Sequence, residues 1–132
     1  MRVMIDTNIL ISALLFPSAR MNTLMEIIIE KHQLLLSSYV VEELMQVTRH
    51  KFPHKMRAVD ALLSRLPYEL VYTPKEPMPG LFEIRDEKDY PVLYTAITDD
   101  VDVFITGNKD FTDIPLERPE IFTPALFFEK YG

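Results

Sequence analysis

The chain has 132 residues, a formal charge of −6 and 48% hydrophobic residues, which suits one globular domain with a single core and excludes a disordered chain. It contains no cysteine, which excludes disulfides, thiolate chemistry and cysteine-type zinc sites. No apolar run approaches the roughly 20 residues of a membrane-spanning helix, and the first residues lack the basic segment and long apolar stretch of a signal peptide. The expected setting is therefore a reducing cytoplasm.

In chain order, a short apolar run opens the chain and ends abruptly at Asp6. It is too short for a helix and suits a buried parallel strand. Thr7 and Asn8 are turn and N-cap types, so a helix is expected over Asn8 to Phe16, closed by Pro17. A longer helix is expected over Arg20 to His32. Gln33 to Ser37 then reads as a second buried strand, on its Leu34-Leu35-Leu36 run. Ser38 is a suitable cap for the next helix, which carries Glu42 and Glu43 and stops by Pro53. His54 to Leu66 reads as a further amphipathic helix and Tyr68 to Tyr72 as a third strand. Thr73 to Gly80 holds three prolines and a glycine and reads as a loop. Asp89 to Thr98 reads as a helix with Pro91 in its first turn, where proline is tolerated. A fourth strand over Val101 to Thr106, a turn at Gly107-Asn108, a short strand over Glu120 to Phe122 and a helix over Pro124 to Tyr131 complete the chain. Strands alternating with helices predict an α/β domain over 1–132, its parallel sheet covered on both faces.

Charge is unevenly spread. From Glu83 to Asp113 there are nine acids and three bases, so this window carries the entire negative excess. By contrast, Arg49 to Arg57 is basic, with no acid from Leu44 to Val59, and is the one segment suited to attracting phosphates. Its plain alternative is a solvated connection between helices, and the Phe127-Phe128 pair reads as core, with one ring available to a partner.

The candidates for chemistry are acids at strand ends and helix starts. Asp6 follows the first strand, and Glu42 and Glu43 follow the second. Asp86, Glu87 and Asp89 precede a helix, and Asn108 and Asp110 follow the fourth strand. In a parallel sheet these segments meet at one edge, where open α/β sheets bind ligands. Two carboxylates about 4 Å apart repel by about 4 kcal/mol at an effective dielectric of 20. Several together call for protonation or a metal, and all-oxygen ligation points to Mg²⁺ or Mn²⁺. Such ions suit phosphodiester hydrolysis. Each candidate also has a plain role: Asp6 and Asp89 as helix caps, Glu42 and Glu43 as solvated helix acids, Asn108 and Asp110 as turn residues.

Four blocks of the chain resemble the motifs of the PIN domain family. Ile5-Asp6-Thr7-Asn8 with Ser12 resembles the opening motif, and Ser38 to Leu44 the second. Asp89 through Ala96 resembles the third block, an aspartate seven residues before an alanine, and Ile105 to Phe111 the fourth. Their wording is most similar to the toxins of bacterial and archaeal toxin–antitoxin pairs. The resemblance implies a three-layer α/β/α sandwich with a mainly parallel sheet of four to five strands. It implies a metal-dependent ribonuclease, often dimeric, whose partners are an RNA substrate and an antitoxin protein. Carried over by position, Asp6, Glu43 and Asp89 are the expected catalytic and metal-binding acids, and Thr7, Asn8, Ser12 and Thr106 the supporting polar residues. The family usually has an aspartate where this chain has Asn108. Asparagine can ligate through its carbonyl but brings no charge, so a second metal is expected to bind more weakly, with Asp110 or Asp86 able to compensate. Two alternatives follow. One is a catalytically weakened PIN-like module that binds RNA or protein. The other is a phosphoaspartate phosphatase, disfavoured because Asn8 stands where a second aspartate is needed.

Overall fold

A computed structural model describes residues 1–132. Its strands are β1 (Arg2–Ile5), β2 (Gln33–Ser37), β3 (Glu69–Val71), β4 (Val103–Ile105) and β5 (Glu120–Phe122). They form one sheet in the order β3-β2-β1-β4-β5, with every neighbouring pair parallel. The helices are α1 (Thr7–Leu15), α2 (Ala19–Lys31), α3 (Ser38–Lys51), α4 (Met56–Arg65), α5 (Tyr90–Thr98), α6 (Lys109–Thr112) and α7 (Pro124–Tyr131). They flank the sheet, giving the expected α/β architecture.

The three inner strands read as unbroken apolar runs because helices cover both faces. Val3, Met4 and Ile5, Leu34 to Leu36, and Val103 to Ile105 are all fully or almost fully buried. From β1 the chain builds outward through β2 and β3, then returns to build β4 and β5 on the other side. The order thus reverses between β1 and β4, and the crevice at such a reversal is where open α/β sheets place ligands. Ile5 pairs with Ile105, so Asp6 and Thr106 leave the sheet side by side. The Asp6 N–H extends the ladder by donating to the Ile105 carbonyl at 3.1 Å.

Several local expectations need correction. Asp6, not Thr7 or Asn8, caps α1, its Oδ1 accepting from Ile9 N–H at 2.9 Å. Ser37 rather than Ser38 caps α3, because the second strand ends one residue into the cap. The helix expected over His54 to Leu66 is a 3₁₀ turn at Pro53–Lys55 followed by α4. A 3₁₀ turn at Glu87–Asp89 precedes α5, and the Asp89 side chain makes no capping bond. The Gly107-Asn108 turn leads into α6, a single turn capped by Asn108 and absent from the sequence reading. The strands around Leu70 and Phe104 are shorter than expected. No helix is long and apolar enough to cross a membrane. Phe127 is fully buried, while Phe128 lies half-buried under the Arg20 guanidinium.

The acidic window divides between the two edges of the sheet. At the amino edge, the Arg2 guanidinium bonds Asp99 and Glu69, and the Arg2 N–H bonds Asp102. Arg118 also pairs with Asp102. These acids tie strand starts together. Asp89 lies at the opposite edge.

Candidate metal centre

Three separate segments deliver carboxylates to the carboxyl edge. Asp6 ends β1, Glu43 sits in the second turn of α3, and Asp89 ends the 3₁₀ turn before α5. All three line one cavity of about 140 Å³, together with Thr7, Asn8 and Asn108. Ile11, Val47, Val92 and Phe111 form its apolar wall, and no cation or histidine lines it.

Each carboxylate is engaged by a neutral donor. Asp6 is 4% exposed and accepts from the Thr106 hydroxyl as well as from Ile9 N–H. Thr7 Oγ1 donates to Glu43 Oε1 at 2.5 Å. Asn108 Nδ2 donates to Asp89 Oδ2 at 3.0 Å. The Asn108 carbonyl accepts from Asp110 N–H at 3.0 Å, and a backbone N–H can only donate, so the amide orientation is fixed. Asn108 N–H in turn donates to Thr106 Oγ1 at 3.0 Å. One turn therefore holds both Asp6, through Thr106, and Asp89.

These neutral donors do not cancel the charge. Burial pushes the Asp6 carboxyl up to about 6, against the lowering effect of Thr106 and Ile9 and with the help of Asp89 and Glu43. Burial also raises Glu43, opposed by its bond to Thr7 and by Lys88. Burial and the charge of Asp86 raise Asp89, opposed by Asn108. The Tyr39 phenol is raised as well, by burial and then by Glu43, Asp89 and Asp86.

The donor set fits a hard divalent cation: all-oxygen ligands, surplus negative charge and no competing base. As positioned, no three acidic or histidine side chains stand close enough to ligate one ion together, each carboxylate being turned onto its own donor.

The other anticipated residues divide. Asn8 lines the cavity, and Thr106 lies buried behind Asp6. Ser12 and Asp110 do not line it. Asp110 stands 3.7 Å from Arg85, near enough to Asp89 to raise its carboxyl. Asp86 caps the 3₁₀ turn through Lys88 N–H, and Glu42 is exposed. In the basic segment, Lys55 is occupied by the Leu15 carbonyl and the Phe16 and Phe52 rings, while Arg49, His50, Lys51 and Arg57 are exposed. Tyr39 was not anticipated, although it precedes Glu43 by four residues and so shares its helix face.

The PIN domain family model matches residues 2–110, which include every lining residue of this pocket except Phe111. The chain belongs to the PIN domain family. The sheet and its helices also superpose on a chain of the crystal structure of VapBC2 from Rickettsia felis bound to a DNA fragment from their promoter. That match has a TM-score of 0.70 at 19% identity and covers 93% of this chain and 97% of the other. The likeness is one of fold. No curated protein sequence matches this chain. The family match ends at Asp110, and β5, which lies beyond it, pairs with β4 in the same sheet.

Proposed function

We propose that this PIN domain is a divalent-cation-dependent endoribonuclease, acting as the toxin of a type II toxin–antitoxin pair. PIN domains are generally nucleases, which supports a hydrolase. The observation that carries the reading is the convergence of Asp6, Glu43 and Asp89 on one cavity that no cation lines. Likeness of fold to a chain of a VapBC2 structure supports the toxin assignment and an antitoxin partner. A cytoplasmic homodimer is part of the same proposal.

Asp6, Glu43 and Asp89 would hold Mg²⁺ or Mn²⁺, which when bound supplies activation of water and neutralisation of charge on the phosphate. Thr106 and Ile9 N–H fix the Asp6 carboxylate, and Thr7 and Asn108 restrain Glu43 and Asp89. Such supports keep ligating carboxylates oriented. The apolar wall of Ile11, Val47, Val92 and Phe111 restricts water around them. Asn108 spends its carbonyl on Asp110 N–H and offers the pocket a donor, so a second cation lacks a fourth carboxylate. One tight ion per chain, with a second recruited only by the substrate, is the expected stoichiometry.

The test is cleavage of single-stranded RNA and of DNA of the same sequence, with Mn²⁺ and with EDTA. Wild-type protein should cleave RNA only with Mn²⁺, and Asp6→Asn should be inactive while folded. Native-rate cleavage by repurified Asp6→Asn would refute the assignment. The neutral Asn108 favours one second reading, a weakened module that binds RNA or protein; binding without any metal-dependent cleavage would select it.

A further inference from the structure

Beside the carboxylate pocket lies a second cavity, of about 390 Å³, on the same edge of the sheet. Its walls come from the first residues after β2 and β3 and from Pro91 in the first turn of α5. Tyr39 forms part of it, one helical turn before Glu43, and Pro91 follows Asp89 by two residues. The volume is within the roughly 300–1,000 Å³ of small-ligand sites.

Two of its residues stand free to meet a ligand. Tyr72 is 77% exposed, although the backbone beneath it is fixed. Thr73 N–H donates to Ser38 Oγ at 2.9 Å, and Thr95 Oγ1 donates to Thr73 Oγ1 at 2.9 Å. An aromatic ring is thus displayed to solvent from a pinned strand end. Lys75 is exposed, belongs to no ion pair, and is the one cation in the lining. Glu42, from α3, also lines the cavity. Its carboxylate repels a phosphate, which leaves Lys75 as the phosphate end of the cavity.

We propose that this cavity seats one unpaired nucleotide of the nucleic-acid substrate, its base against the Tyr72 ring and its phosphate at Lys75. Calling that strand the substrate rests on the nuclease reading; the binding itself does not. Aromatic stacking accepts any base, and a lysine adds a phosphate contact, the combination used for single strands. The seat lies next to Asp89 and Glu43, so it positions the strand for the reacting centre without itself touching the reacting phosphate.

The experiment is fluorescence anisotropy of a short labelled single-stranded RNA with the full chain, in EDTA at low salt. Tyr72→Ala should weaken binding about tenfold or more, and Tyr72→Phe, which keeps the ring, should bind like wild type. Lys75→Ala should weaken binding and reduce the logarithmic salt slope by about one. Where Mn²⁺ cleavage is measurable, both alanine variants should raise KM more than they lower kcat. Tyr72-dependent binding without cleavage leaves this proposal standing and removes the nuclease reading. Cleavage with binding unchanged by Tyr72→Ala overturns this proposal alone. Failure of the wild-type chain to bind the RNA also overturns it.

Discussion

Raising the pH should weaken the metal-free protein, and the effect should trace to Asp6. Its carboxyl is pushed from 3.8 up to about 6 by burial. A raised acid pKa means that the folded state holds its proton more tightly than the unfolded chain. The stabilisation is therefore fully present below about pH 3.8 and is lost as the pH rises through about 6. A shift of about two units corresponds to about 3 kcal/mol, of which about 2 kcal/mol falls between about pH 4.5 and 8. Asp6 is almost fully buried, so solvent screening does little to reduce this. Glu43 and Asp89 are raised too and act with the same sign.

Other groups must be separated from this signal. Burial, then the N-terminal ammonium and Lys31, push the His32 imidazole down, so it loses stability as the pH falls through the histidine range, the opposite slope. Asp102 and Glu120 are held low, chiefly by the Arg2 N–H and by Lys130 respectively, and act only at more acidic pH. The Asp6→Asn variant removes one titration while keeping an oxygen that can accept from Ile9 N–H. The assay is urea denaturation in EDTA across about pH 4.5 to 8, for wild type and variant. The variant should gain about 2 kcal/mol on wild type across that range. Saturating Mn²⁺ at pH 8 should reverse the advantage, because the cation binds the native wild-type pocket. A difference that stays constant with pH would refute the account of Asp6 as a buried, charge-stressed acid.

Three further outcomes follow from the same pocket. Asn108→Asp keeps the α6 cap but replaces the donor facing Asp89 with a carboxylate; it should cost about 1–2 kcal/mol in EDTA at pH 8 and tighten Mn²⁺ binding by calorimetry. Thr106→Val strips Asp6 of its hydroxyl donor and should destabilise the metal-free fold by about 1–3 kcal/mol, more at pH 8 than at pH 5, in the same urea assay. Calorimetric titration of the wild-type chain with Mn²⁺ should give one tight ion, and two tight ions in the absence of nucleic acid would contradict the neutral role assigned to Asn108.

What the sequence made legible was whatever rests on periodicity and strand ends. The apolar runs before Asp6, at Leu34-Leu35-Leu36 and before Thr106 became the three central strands, with a parallel neighbour on each side. Helix caps were less legible, because Ser37 and Ser38 are identical in chemistry and only the strand's end decides which one caps α3. Ser38 instead pins Thr73, a partner 35 residues away. The placement of Asp110 failed to show for a similar reason. Asn108 takes Asp110 N–H as a cap, starting a one-turn helix that carries the Asp110 side chain to Arg85 rather than to the cavity. Tyr39 and Tyr72 were missed because spacing does not show exposure: Tyr72 is displayed to solvent, while Tyr39 is partly buried against the core yet lines the second cavity.

Acid content alone does not identify the site, and the two edges of this sheet show why. At the amino edge, Glu69, Asp99 and Asp102 surround Arg2 and Arg118. Asp102 there is held below the usual carboxylate range, first by the Arg2 N–H, so its charge is already balanced. At the carboxyl edge, Asp6 receives a hydroxyl and the Ile9 N–H, Glu43 a hydroxyl and Asp89 an amide, and all three carboxyls are pushed up. Neutral donors satisfy hydrogen-bonding capacity and fix orientation, but leave the charge for something mobile to neutralise. In the metal-free chain that is a proton, which ties the stability of the fold to pH. A divalent cation competes for the same oxygens, so its apparent affinity should fall as the pH drops below about 6, the value to which Asp6 is raised. Calorimetry with Mn²⁺ at about pH 5.5 and 7.5, in buffers of different ionisation enthalpy, would measure the protons released. Release of fewer than half a proton per ion at about pH 5.5 would mean that these carboxylates are not the ligands.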